Sequence, residues 1–232
     1  MKTFGERDGM YRYAQHCPVA RAAEVLVEPW TVLVLREMLR GGERRSDIAA
    51  GLPGMSVKLL ARRLRTLVGH GLVEEVSGRG EKKYRLTEAG RAIGPVVDQL
   101  GRWGQRWLAP PALADLDADL LLRDICVQMA DRLPDRLLTV EVKITDAPSA
   151  GRWWLVLSPT AAVVQEFAPA RPPDVGLLCT LSGLAGVWLG RQRFSDAVRE
   201  QTVVFAGPSD AIRSLVTCTG VDRYADVARE PV

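Results

Sequence analysis

Histidine is scarce in this chain: 232 residues contain two, His16 and His70, and neither sits in a pattern of metal-ligand spacing. The four cysteines, Cys17, Cys126, Cys179 and Cys218, lie far apart and form no Cys-x-x-Cys pair. That spacing excludes a zinc ribbon and a redox dithiol motif and makes free thiols the expectation. Long apolar runs are absent, so no bilayer-spanning segment is expected. The first fifteen residues, MKTFGERDGMYRYAQ, lack the apolar stretch of a signal peptide, which makes the cytoplasm the expected compartment. Missing too are a Ser/His/Asp set, a phosphate-binding loop, a paired-carboxylate motif and a metal cluster. An enzyme is therefore not expected, and no cofactor is implied.

What is present is an ordinary globular composition, 47% hydrophobic and 25% charged, enough for a real core. The net charge of +3 hides an asymmetry. Residues 1–108 carry 19 Lys and Arg against 12 Asp and Glu, a balance of +7, while residues 109–232 carry 12 against 16, a balance of −4. Two domains with different partners are the expectation. Leu108-Ala-Pro-Pro-Ala112 interrupts the pattern, which divides the chain into domains at 1–109 and 110–232. The fold class expected is α+β.

The first domain is mostly helical. Val19–Val27 is apolar on one face, Pro29 suits a first helical turn, and Trp30–Leu39 is strongly apolar up to Gly41-Gly42. A short helix at Ser46–Ala50 runs into the turn Gly51-Leu52-Pro53-Gly54, and Ser56 is placed to cap a helix over Val57–Val68. At 100° per residue, Val57, Leu60, Ala61, Leu64, Leu67 and Val68 share a core face. Lys58, Leu59, Arg62, Arg63, Arg65 and Thr66 occupy the other. Leu59 in the middle of that cationic face has two readings: a contact for thymine methyls in the major groove, or an isolated surface leucine.

Two short strands follow, Leu72–Val76 and Lys83–Leu86, joined through Ser77-Gly-Arg-Gly80, where glycine tolerates a tight turn. Arg79, Lys82 and Lys83 cluster at this tip. Cations there suit phosphates of double-stranded DNA, which fix register and affinity without reading sequence, and lysines also protect strand edges. A basic helix and a basic hairpin at this spacing favour DNA. Thr87 caps the next helix, which runs to about Leu108 with a kink expected at Gly94-Pro95. Its apolar residues, including Val96, Leu100, Trp103 and Trp107, exceed what the domain needs for itself. A homodimer interface is one reading, presenting two reading helices to a palindrome; packing on the second domain is the other.

These residues resemble an HxlR-type transcriptional regulator, a winged-helix group related to MarR. The resemblance covers residues 16–107. It rests on His16-Cys17-Pro18-Val19, Trp30-Thr31 with Leu35-Arg36-Glu37, Arg44 with Ser46-Asp47, and Leu52-Pro53-Gly54-Met55-Ser56. It continues with Leu59-Leu60, Arg62-Arg63-Leu64, Gly71-Leu72-Val73 and Tyr84 through Gly90. Three positions depart from the family pattern: Val27-Glu28-Pro29 stands where a Gly-rich turn with a basic residue is usual, Arg45 where an aromatic is usual, and Val68 where a glutamate is usual. The resemblance implies Ser56, Lys58, Leu59, Arg62, Arg63, Arg65, Arg79, Lys82 and Lys83 as the DNA-binding set. It also implies a redox candidate, Cys17, since the cysteine of the Cys-Pro-Val motif senses oxidants in some members; the other reading of Cys17 is a small packed residue.

The second domain shows a helix at Asp119–Arg132 and strands at Thr139–Ile144, Trp153–Leu157, Ala162–Phe167, Val175–Leu181 and Val203–Ala206. Ser182 caps an expected helix at Gly183–Gly190, and Asp210 one at Ala211–Val216. This order, with Leu177–Leu181 leading into a short helix and Val203–Gly207 into a closing one, resembles the sterol-carrier-protein type 2 fold. That fold implies an apolar cavity for a small hydrophobic ligand. Trp153, Trp154, Phe167, Leu184, Trp188, Phe194 and Phe205 are the candidate lining, with plain core packing as the other reading of each. The reading that results is a ligand-responsive regulator, more in keeping with repression than activation. A Cys17-based redox regulator and a lipid carrier whose winged domain only dimerises are the alternatives.

Overall fold

The structure is a computed structural model and describes residues 12–76, 82–146 and 151–230. The chain divides into two compact units, Met1–Leu100 and Gly101–Val232. The division falls inside a helix, upstream of the Pro-rich break at Leu108–Ala112.

The first unit runs α1 (Pro18–Leu26), α2 (Thr31–Leu39), α3 (Arg45–Ala50), α4 (Val57–Gly69), β1 (Val73–Val76), β2 (Lys83–Leu86), α5 (Glu88–Arg91) and the start of α6 (Gly94–Trp107). Two hydroxyls set its helix starts. Ser56 Oγ accepts the Leu59 N–H at 3.2 Å and Thr87 Oγ1 accepts the Gly90 N–H at 3.1 Å, each satisfying an orphan donor of a first turn. Pro29 stays outside α2. The residue after it, Trp30, takes a left-handed φ of 74° and supplies the carbonyl that starts the helix. Bulky non-glycine residues rarely adopt that conformation, so this turn is held by what surrounds it. The expected kink is a break: α5 ends at Arg91 and α6 begins at Gly94, with Pro95 in its first turn, where a missing N–H costs nothing. Val34, Leu35, Ile48, Leu60, Leu64 and Leu67 form the centre of the core, all at most 1% exposed.

β1 and β2 pair antiparallel from Val73↔Leu86 to Val76↔Lys83. The connecting turn, with Arg79, lies outside the described residues. The segment before α3 joins this ribbon: the Tyr84 N–H donates to the Glu43 carbonyl at 2.7 Å, and Arg44 bridges Lys83.

The second unit contains the rest of α6, α7 (Ala118–Gln128), β3 (Leu138–Ile144), β4 (Gly151–Ser158), β5 (Ala161–Gln165), β6 (Val175–Cys179), α8 (Leu181–Trp188), α9 (Phe194–Arg199), β7 (Val203–Ala206) and α10 (Ser209–Thr219). Its sheet has the order β5-β4-β3-β6-β7, with β3 and β6 parallel and the other neighbours antiparallel. The alternation expected for β3 holds: Val140, Val142 and Ile144 are buried, while Glu141 and Lys143 face the other way. The buried face meets Leu122 and Ile125 of α7, Leu181 and Leu184 of α8, and Leu215 of α10. The opposite face leaves Val163, Leu178 and Val204 exposed. Thr180, not Ser182, caps α8, its Oγ1 accepting the Gly183 N–H at 3.0 Å. Pro208, not Asp210, holds the N-cap of α10. Helix α9 went unforeseen because its six residues show too little of a 3.6-residue period. Among the described residues, no helix is long and apolar enough to cross a membrane.

Candidate nucleic-acid interface

Helix α4 carries the candidate reading face. Its core side is Leu60, Leu64 and Leu67. Lys58, Arg62 and Arg65 are exposed, Leu59 is half-buried beside them, and no ion pair occupies these three cations among the described residues. Thirteen helical residues span about 20 Å, and the major groove of B-DNA admits a helix of this girth. Ser56, spent on the cap, fixes the end of α4 that leads this face.

Three expectations for α4 are corrected. Val68, expected on the core face, is 37% exposed in the last turn, past the contact made by Leu67. Val57 is 72% exposed, because it stands in the first turn, ahead of the point where α4 meets the core. Arg63 is buried at 4% exposure and does not belong to the DNA-facing set. Its Nε donates to the Pro29 carbonyl at 2.9 Å and its Nη1 to the Glu28 carboxylate. A buried guanidinium needs such partners, since an unpaired buried charge costs several kcal/mol, roughly. Burial lowers the Arg63 pKa and the Glu28 charge opposes that shift. An arginine stays protonated throughout.

The hairpin is less free than its charge implies. Lys82 Nζ pairs with Glu75 at 2.6 Å, a bond that raises the lysine's pKa. Lys83 Nζ and Arg85 Nε both reach Glu43, at 3.1 and 3.0 Å. Those two hydrogen bonds hold the Glu43 carboxyl below the ordinary carboxylate range. Arg85 was missing from the sequence-derived set, although the signal was available: with Tyr84 buried, a two-residue period puts Lys83 and Arg85 on the same outer face.

Apolar surface gathers on another side of the first unit. A groove of about 500 Å³ is lined by α1, the Val27–Trp30 turn, α2 and the start of α6, including Val19, Leu26, Leu33, Val96 and Leu100. Among the described residues, Glu28 is its one charged lining residue. Within the second unit, the later part of α6 packs internally: Gln105 donates to the Leu189 carbonyl at 3.2 Å, Arg106 pairs with Glu230 at 2.6 Å, and Tyr224 closes over Gly101. Trp103 and Trp107 nevertheless remain 55% and 42% exposed.

The seven candidate ligand residues do not form one lining. Trp153 and Trp154 are neighbours on β4 and point to opposite faces of the sheet, so no single cavity takes both. Phe167 lies beyond the end of β5 and is 82% exposed. Trp153, Leu184 and Trp188 are buried, with Phe194 and Phe205 packed on the same core, 5.9 Å apart between ring centres. Trp153 Nε1 also donates to Asp119 at 2.6 Å. An open groove of about 610 Å³ runs between α10 and residues 132–135, lined by Arg132, Leu133, Arg213, Thr217 and Cys218 among others. None of the seven borders it. Cys17 is half-buried at the N-cap of α1, while Cys126, Cys179 and Cys218 are buried; all four are free thiols.

The HxlR-like helix-turn-helix family matches residues 25–112. The chain is 35% identical over 111 residues to the HTH-type transcriptional regulator sll1512 of Synechocystis sp., covering 46% of this chain and 81% of that protein. It is 32% identical over 106 residues to the HTH-type transcriptional regulator YvaP of Bacillus subtilis, covering 43% and 96%. The reduced form of the transcriptional regulator YodB from B. subtilis is 27% identical, covers 42% of this chain and all of that one, and has a TM-score of 0.37. On the extent of its identity to sll1512 and YvaP, the chain belongs to the HxlR-like helix-turn-helix family of transcriptional regulators.

Proposed function

We propose that the protein is a dimeric repressor that lays α4 in the major groove of a pseudo-palindromic DNA site. The observation that carries this is the face of α4, where Lys58, Arg62 and Arg65 are exposed around Leu59 and, among the described residues, are in no ion pair. Arg62 and Leu59 read bases, Lys58 and Arg65 meet phosphates, and Lys82 and Lys83 add backbone contacts from the hairpin. The apolar groove and the exposed face of α6 form the dimer interface, which supplies the two-fold axis such a site requires. Selecting bound sequences from random duplexes tests this: a symmetric motif supports it, and no enriched motif refutes it.

The second unit, in this reading, is sterol-carrier-protein-like and takes a small hydrophobic ligand. Supporting this are a sheet covered by helices on one face and a groove within the size range of ligand sites. Ligand acts only by favouring one of the DNA-competent and incompetent states over the other. A fluorescent fatty acid or sterol that binds and shifts operator affinity supports it; binding without a shift makes the protein a carrier. A redox reading through Cys17 is favoured only by its position as the least buried of the four thiols. A Cys17→Ser protein that keeps any oxidant response eliminates it.

A further inference from the structure

We propose that Arg63 is a positioning residue: paired with Glu28, it sets the rotation of α4 about its own axis, so DNA affinity depends on two side chains that do not touch DNA. The inference rests on α4 being the reading helix. Core contacts fix which face of α4 is buried but set no hydrogen-bond geometry. Leu60, Leu64 and Leu67 are aliphatic, and apolar burial is non-directional. Arg63 supplies direction. Its side chain is 5% exposed and that of Glu28 14%, and its two donors go to two acceptors on one short turn, the Pro29 carbonyl and the Glu28 carboxylate. That turn is itself constrained, with a proline at 29 and a left-handed Trp30 at 30. A planar guanidinium held by two different nitrogens fixes orientation as well as distance.

The magnitude of the effect follows from geometry. An α-helix with its side chains has a radius of about 5–6 Å, so a roll of about 10° moves its outer atoms by about 1 Å. Useful hydrogen bonds occupy a window of only about 0.5 Å in length. Arg62 is the residue just before Arg63 on α4 and shares whatever roll Arg63 permits. A small rotation therefore removes a base contact by Arg62 while leaving phosphate contacts, which tolerate displacement, largely in place.

The test compares affinities for a selected operator and for a random duplex of equal length, over a range of salt concentrations, with the active fraction and the dimer fraction of each protein measured separately, since Glu28 also lines the proposed dimer groove. The proteins are wild type, Glu28→Gln, Arg63→Lys, Arg63→Met and Arg62→Ala. Glu28→Gln and Arg63→Lys are expected to lower operator affinity about tenfold, the scale of one lost base contact, with random-duplex affinity unchanged or raised. Arg63→Met is expected to lower the operator-to-random ratio likewise while keeping the wild-type salt slope, because Arg63 neutralises no phosphate. Arg62→Ala serves as the contrast, removing a contact on the DNA side.

An Arg63→Met slope shallower by about 0.9 would show Arg63 on a phosphate and overturn the proposal. So would an unchanged operator-to-random ratio in Glu28→Gln and Arg63→Lys; in that case a loss confined to active fraction would mean the pair serves folding alone. Arg63→Lys keeps the charge and most of the volume, which guards the test against a variant that fails to fold. Wild-type protein that binds no duplex at all would remove the reading of α4 and this inference with it; wild-type binding with variants that match it removes the inference alone.

Discussion

The two units place their unpaired cations differently: among the described residues, Arg132, Arg191, Arg193 and Arg213 of the second unit have no ion pair and are spread over separate segments, whereas three on α4 of the first share one helix. In the second, Arg136, Lys143, Arg152, Arg171 and Arg199 each lie on a carboxylate of the same unit. In the first, Lys82, Lys83 and Arg85 of the hairpin are paired in the same fashion, but Lys58, Arg62 and Arg65 on α4 have no such pair among the described residues. Surface ion pairs contribute about 0–1 kcal/mol each and do little for a fold. Their absence along one helix is the informative part, since it leaves charge available for an external anion. Net charge alone, +3 for the chain, conceals this; the position of the unpaired cations does not.

The comparison also implies separate cores, and that is where the largest effect is expected. Leu64→Ala in the first unit and Leu157→Ala in the second each remove a fully buried side chain and are expected to cost about 2–5 kcal/mol. Followed by thermal unfolding, each change is expected to lower the transition of its own unit. A single transition shifted equally by both would show that the two cores melt as one. Next in size is Arg62→Ala, expected to cost about 1–3 kcal/mol on the selected operator and to relax preference at one base step. Equal losses on operator and random DNA would assign Arg62 to the backbone.

Smaller effects come from the hairpin and the thiols. Lys82→Ala is expected to weaken all duplexes alike and to make the salt slope shallower by about 1, measured by titration at several salt concentrations. Glu43→Gln is expected to raise affinity for all duplexes by releasing Lys83 and Arg85, and a fall would show that the pairing orients them for DNA. Glu43 has its pKa depressed in the folded state, so its contribution is present above the unfolded value near 4.5 and disappears as pH falls through the depressed value. Carboxylate NMR is expected to place its midpoint below 4.5. Burial pushes Cys126 and Cys179 up to about 12 and raises Cys218. A thiol reagent at pH 8 is therefore expected to modify Cys17 first and the other three only on unfolding; rapid loss of a second thiol would contradict that burial.

Much of the fold was legible where local signals agree. Ser56 and Thr87 cap the helices they were expected to cap, and β1, β2, β3 and β7 lie within a residue of their expected bounds. Periodicity did not reveal the fate of Arg63, because an arginine at a half-buried position goes where its counter-ion is, and Glu28 is 35 residues away. In the second unit, the alternation of β4 already separates Trp153 from Trp154, and grouping them by aromatic character alone obscured that. The groove along α10 left no sequence signal, since it is assembled from the side of one helix and a loop more than 70 residues earlier.

Helix α4 is proposed to read DNA through the face that carries Lys58, Arg62 and Arg65. The most direct test of this is selection of bound sequences from random duplexes, at two salt concentrations, with wild type and Arg62→Ala side by side. A two-fold-symmetric motif with steep salt dependence is expected for the wild type, and loss of preference at one base step per half-site for Arg62→Ala. Identical motifs from the two proteins, or no motif from either, would contradict it.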